Sequence, residues 1–102
     1  MSVSLQVIYP VTEQTTFDFD YYLSTHMDLV GQYMGPHIAN TVVVRGQAGP
    51  EGSPAGYHAI ATILFNDQSA FDGAMAVAGP VVEDIAKFYN GTPQMLVGEV
   101  VG

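Results

Sequence analysis

His26 and Tyr22 are the side chains in this sequence whose types and spacing best suit proton chemistry. Four residues apart on a helix, the two rings lie one turn from each other on one face and can reach one pocket. Neutral imidazole can take a proton from a phenol or an activated carbon near neutral pH and return it later. Tyr22 could hold that imidazole in one tautomer or donate to a substrate oxygen. His26 fits a structural role equally: a core histidine satisfied by a carbonyl or by Tyr22. The two readings differ in whether the layer beneath the helix is hollow or solid. His58 is a second candidate. It joins His26 only if its strand face is the one covered by helices, and otherwise it belongs to the open face of the sheet. His37, beside Pro36 at a strand start, is expected at the surface.

A ligand for such a pocket would be small and apolar or aromatic. Tyr9, Phe19, Val30, Tyr33, His58, Phe65 and Phe88 are the candidate substrate-binding residues, lining a slot for a flat ring around the catalytic candidates His26 and Tyr22. Aromatic spacing of this kind also describes plain core. The acids Asp18, Asp20 and Asp28 read most simply as a solvated helix face. His26, His58 and a carboxylate could in principle hold a metal, but no His-x-x-x-His or Glu-x-x-His spacing supports it. Gly-rich dinucleotide and P-loop patterns are absent from the sequence, and the cations that haem carboxylates need are scarce. Neither a cofactor nor a metal is expected.

The elements that must position these residues follow from periodicity. Val3–Tyr9 alternates as a strand, with Val3, Leu5, Val7 and Tyr9 on one face. A helix from about Thr16 to Met34 follows, capped by Thr15 with Asp18 as the reciprocal acid. It ends at Gly35-Pro36. At 100° per residue, Phe19, Tyr22, Leu23, His26, Val30, Tyr33 and Met34 fall within one arc of that helix. Ile38–Arg45 is a strand apolar on both faces. Gly46–Gly56 is a Gly- and Pro-rich loop, either a lid or arm or a tolerated insertion. Tyr57–Phe65 is the third strand, again apolar on both faces. Asn66 or Asp67 caps a second helix with Phe71, Ala74, Met75 and Ala78 inward. Gly79-Pro80 breaks it, Val81–Phe88 continues helically, and Thr92–Val101 is the last strand.

The order β-α-β-β-α-β predicts an α+β fold, the ferredoxin-like plait: a four-stranded antiparallel sheet with its helices on one face. Residues 1–102 form one domain. Strands apolar on both faces need a cover on the side the helices leave open. A second copy of the same sheet is the simplest one, giving a homodimer through the open sheet face. The composition agrees, with 48% hydrophobic and only 12% charged residues, more apolar surface than a small globule conceals.

The formal net charge of −8, with Lys and Arg together numbering two, argues against nucleic acid and anionic membrane as partners. The absence of cysteine removes disulfides, thiolate nucleophiles and Cys-based metal sites. The N-terminal residues lack a basic region and a long apolar core, so no signal peptide is read and a cytoplasmic location is expected.

Several of these residues form a pattern that resembles the EthD-like family, named for ethyl tert-butyl ether degradation and part of the dimeric α/β barrel superfamily. The pattern comprises Tyr9-Pro10, Phe19-Asp20-Tyr21-Tyr22 followed by His26 and Leu29-Val30, the Gly/Pro-rich loop, Gly79-Pro80 with Asp84 and Phe88, and Val97-Gly98-Glu99-Val100. The family usually shows His-x-Pro-Leu where this chain has His26-Met27-Asp28-Leu29, so Asp28 replaces a helix-bending proline. The resemblance implies a homodimer with a small cavity between helices and sheet in each subunit. It also implies an enzyme of the cofactor-independent oxygenase or cyclase, dehydratase or isomerase kind, acting on a neutral aromatic or polyketide-like substrate. The alternative is a non-catalytic ligand-binding or accessory protein of a degradation pathway.

Overall fold

The computed structural model describes residues 2–102. Strand β1 (Val3–Pro10) is central, paired antiparallel with β3 (Tyr57–Phe65) on one side and β4 (Gln94–Glu99) on the other. Strand β2 (Asn40–Arg45) pairs antiparallel with β3 at the edge, so the strand order is β2-β3-β1-β4. The alternation read from the sequence is the alternation that is buried. Val3, Leu5, Val7 and Tyr9 of β1 and Ala59, Ala61, Ile63 and Phe65 of β3 face the helices as core. β3 has the boundaries its sequence predicts, whereas β2 starts two residues later than expected and β4 is trimmed at both ends.

The first helix, α1 (residues 19–34), has three consecutive parts: Phe19–Tyr21, a π-helical turn Tyr22–His26, and Met27–Met34. Its cap differs from expectation. Asp18 accepts from the Tyr21 backbone N–H at 3.1 Å, while Thr15 accepts from the Thr12 N–H instead. The stretch in between is extended: Phe17 bridges to Tyr89 and the Asp18 N–H donates to the Phe88 carbonyl. A helix cannot start until that pairing ends, which moves the cap to Asp18.

The π turn also corrects the buried stripe. Tyr22, His26, Val30 and Met34 are buried at a strict four-residue spacing. On a regular α-helix each such step drifts by about 40°. The wider turn, closed by Met27 N–H to the Tyr22 carbonyl, absorbs part of the drift and keeps the four in line. Leu23 (60% exposed) and Tyr33 (37%) are correspondingly turned out.

Helix α2 (Gln68–Ala76) is capped by Asp67, which accepts from the Ala70 N–H at 2.8 Å. Helix α3 (Gly79–Asp84) starts with Pro80 in its first turn, where a missing N–H costs nothing. A short 3₁₀ turn, Ile85–Lys87, follows it. In the loop after β2, Gly46 lies so close to the Tyr57 carbonyl that no Cβ could fit there. The loop's tip takes left-handed backbone at Glu51 and Gly52.

The helices pack on the face that presents Tyr9, Ala61 and Ile63. On the other face Val42, Val44 and Leu96 are each about half exposed, with a hydrogen bond from Gln6 Nε2 to Thr62 Oγ1 between them. No described helix is long and apolar enough to cross a membrane.

Candidate active site

The layer between helices and sheet is hollow. A cavity of about 60 Å³ lies there, large enough for small molecules such as water but not for a substrate ring without movement of its wall. Its floor is Leu5, Val7 and Tyr9 of β1 with Ala61 and Ile63 of β3. Tyr22, His26, Met27, Val30 and Met34 of α1 form its roof. Met75, Val81, Val82 and Ile85 close one side, and Thr41, Val43 and Met95 come from the outer strands. Val82 (50% exposed) and Met95 (49%) are among its least buried members, so the cavity meets the surface between α3 and β4. Every methionine other than the first residue (Met27, Met34, Met75 and Met95) is in the lining. Unbranched thioethers re-pack readily, so this wall can yield to a larger guest.

His26 enters the roof only 4% exposed. Its Nδ1 lies 3.1 Å from Asp84 Oδ2. A carboxylate can only accept, so Nδ1 carries the proton and Nε2 keeps its lone pair. No described residue bonds Nε2. No fully buried side-chain nitrogen or oxygen is left unpartnered among the described residues. Nε2 therefore keeps some exposed surface, and His26 is one of the residues that line the cavity. Tyr22 stacks on the imidazole (5.4 Å between centroids, 17°) rather than bonding to it. Phe88 leans on it at 4.5 Å.

Asp84 is held from its other side as well. The Tyr21 hydroxyl donates to Oδ1 at 2.7 Å. Burial raises the Asp84 pKa, but the hydrogen bonds from Tyr21 and His26 and the nearby Lys87 charge outweigh it, and the carboxyl is held below its ordinary value. Burial lowers His26 below its ordinary 6.5, with Asp84 offsetting only part of this. The directions agree: a carboxylate beside a neutral imidazole, with Nε2 ready to accept a proton at neutral pH.

A pH dependence follows. A His pKa depressed by folding means that the unfolded chain binds the proton more tightly. Stability is then full above the unfolded value of 6.5 and falls as pH drops through it. Asp84, also depressed, adds stability above 3.8 that is lost at lower pH still. Burial lowers His58 too, so melting temperature should fall between about pH 7.5 and about pH 5.5 with both imidazoles contributing, at no more than about 1.4 kcal/mol per pH unit for each proton. The slope should flatten in His26→Gln. An equal slope in that variant would remove His26 from the account.

Of the residues singled out in the sequence, Tyr9, Tyr22, His26 and Val30 come together in the lining. Phe88 backs the imidazole from behind. Phe65, 0% exposed, is core packed edge-on to Phe71. Phe19 lies under the Arg45 guanidinium at 4.4 Å. Tyr33 faces outward. His58 is not with His26: its Nε2 bonds Thr15 Oγ1 at 2.9 Å and its ring stacks on Phe17 at 5.8 Å. It occupies the irregularity where the β1–β3 register shifts between Tyr9 and Pro10, so strand alternation does not decide its direction.

Asp84 and Tyr21 stand in the sequence only as part of the family pattern, with no site role of their own. A signal existed for Asp84. Val81, Asp84, Ile85 and Phe88 share one helical face, so this acid stands in an apolar stripe as His26 does in its own.

Comparison with known proteins gives this arrangement its context. No curated protein matches the chain. An EthD-like protein from Ralstonia eutropha JMP134 is 31% identical, with a TM-score of 0.88 over 99% of this chain and 93% of that one. An ethyl tert-butyl ether degradation family protein from Bacillus halodurans C-125 is 23% identical, with a TM-score of 0.79 over 99% of this chain and all (100%) of that one. SnoaB from Streptomyces nogalater, a cofactor-independent oxygenase, shares the fold at 12% identity and a TM-score of 0.65, over 99% of this chain and 94% of its own. The EthD domain profile matches residues 12–92, a span that holds Tyr22, His26 and Asp84, and the chain belongs to the EthD domain family.

Proposed function

We propose that the chain is a small-molecule enzyme in which His26 Nε2 is the general base of the cavity. The substrate is a neutral aromatic or polyketide-like compound, and the reaction is a cofactor-independent oxygenation or a cyclisation, dehydration or isomerisation. The observation that carries this reading is the pairing of His26 Nδ1 with Asp84, which leaves Nε2 without a partner at a cavity lined mostly by apolar side chains. A purely structural histidine would have both nitrogens satisfied. Likeness to an oxygenase that uses no cofactor is in keeping with it. All of these reactions begin with proton abstraction, which Nε2 can perform.

The test is turnover of anthrone and phenol panels by wild type and His26→Ala. Loss of turnover in a variant that keeps its fold is expected. Equal turnover by both would remove His26 as the base and favour the alternative, a binding or accessory protein.

We also infer that a second copy covers the open sheet face. Half-exposed Val42, Val44 and Leu96 form, with Ile8, Ile60 and Leu64, an apolar surface that isolated monomers rarely leave bare. The expected solution mass is twice 10.9 kDa. Val44→Asp should shift it toward the monomer, because the charge would be buried without a partner. A wild-type monomer at micromolar concentration would refute the interface.

A further inference from the structure

Two hydroxyls in the cavity are as unoccupied as His26 Nε2. Tyr9 and Tyr22 are each 1% exposed, both line the cavity, and no described residue bonds either phenol oxygen. No fully buried side-chain oxygen lacks a partner among the described residues. Each hydroxyl must therefore own part of the little surface its residue has, and both residues line the cavity. Other phenols near the site are differently employed. Tyr89 donates to the Pro10 carbonyl at 2.7 Å and Tyr21 donates to Asp84 at 2.7 Å. An unpaired hydroxyl in an apolar layer is destabilising, so phenylalanine would serve the fold at least as well at either position. Two such hydroxyls, one from the floor and one from the roof, call for a guest that uses them.

The three groups are neighbours. The Tyr9 and Tyr22 rings meet edge to face with centroids 5.9 Å apart, and Tyr22 stacks on His26 at 5.4 Å. Burial pushes Tyr22 up to about 12 and raises Tyr9 as well, so both stay protonated and can donate. Apart from Thr41 on β2, the rest of the lining is apolar. A base beside two hydrogen-bond donors in a mostly apolar cavity matches one substrate feature, an acidic C–H next to a carbonyl.

We propose that Tyr9 and Tyr22 form a two-hydroxyl oxyanion site and that the substrate is an enolisable carbonyl compound, a ketone or ester with an acidic α C–H. The inference rests on His26 acting as base. His26 Nε2 takes the α proton, and the C–H bonding pair becomes the C=C bond of an enolate. The carbonyl π pair moves onto oxygen, where the Tyr9 and Tyr22 O–H groups donate to it. The imidazolium keeps Nδ1–H on the Asp84 carboxylate. Return of the proton from Nε2 to carbon closes the cycle without any co-reactant.

The test is deuterium uptake at the α carbon of 2-tetralone in D₂O, followed by NMR. Wild type should exchange it well above the buffer rate. Tyr9→Phe and Tyr22→Phe should each slow the enzymatic exchange by about 10²-fold, with melting temperatures unchanged or raised. His26→Ala should lose the exchange, and Tyr33→Phe, at an outward-facing ring, should leave it unchanged. Wild-type rates in both cavity Tyr→Phe variants, with His26→Ala inactive, would overturn the oxyanion site and leave the base standing. Wild-type rates in His26→Ala would overturn the base and this inference together. A wild-type protein no faster than buffer would overturn the assignment to enolisable carbonyls.

Discussion

Replacing Asp84 with Asn should cost roughly 10³- to 10⁴-fold in base-catalysed turnover while leaving the fold intact. A carboxylate offers acceptors on both sides, and this one uses both: Oδ1 takes the Tyr21 hydroxyl and Oδ2 faces His26 Nδ1. An amide has one acceptor and one donor group. Tyr21 requires the acceptor, so the amide NH₂ is left to face the imidazole. A donor there forces the proton off Nδ1 and onto Nε2, and the atom that should accept the substrate proton already carries one. The defect is one of tautomer rather than position. It should be visible as a change of the protonated ring nitrogen in ¹⁵N NMR of His26, and it should respond to Tyr21. In the double variant Asp84→Asn with Tyr21→Phe, nothing claims the amide oxygen, which can swing to Nδ1 and recover part of the loss. A double variant no better than Asp84→Asn alone would show that Tyr21 does not set the orientation.

This arrangement explains which parts of the site are legible in the sequence. Strand faces depend on a local period of two, and the buried positions Val3, Leu5, Val7 and Tyr9 follow it without exception. β3 is as readable up to Ala59, where the register shift takes His58 out of the alternation. The α1 stripe is readable only in part, because the π turn is a change of backbone hydrogen bonding that no residue type announces. Tyr22 and His26 tolerate the shift, being on either side of one turn, while Leu23 and Tyr33 do not. The cap moved from Thr15 to Asp18 for a non-local reason, the bridge from Phe17 to Tyr89. Asp84 is the sharpest case. Its place in an apolar stripe is local, but its bond to His26 spans 58 residues. Spacing can nominate such a pair of misplaced titratable groups, and only the packing of α3 beside α1 can join them. Whether the layer was hollow or solid was equally beyond local pattern, since the same aromatics serve either.

Phe88→Ala should be the most destabilising change near the site, at about 3–5 kcal/mol. Phe88 is 3% exposed and its ring meets five others: His26 at 4.5 Å, Tyr22 at 4.9 Å, Phe17 at 5.1 Å, Tyr9 at 5.6 Å and Tyr21 at 6.3 Å. Truncation removes its buried area and leaves a void among rings too rigid to collapse into it. A domain of this length is stable by only about 5–15 kcal/mol in total, so melting should fall by at least about 12 °C. The backbone contribution is separable. The Phe88 carbonyl accepts from the Asp18 N–H at 2.9 Å, and any residue at the position keeps that bond and with it the start of α1. Phe88→Leu should therefore recover most of the stability. It will not restore the aromatic face against the imidazole, so a Leu variant that folds well should still hold His26 more loosely and turn over more slowly. A loss below about 1 kcal/mol in Phe88→Ala would mean that the aromatic layer relaxes into the void, and the rigidity assumed for the wall behind His26 would have to be abandoned.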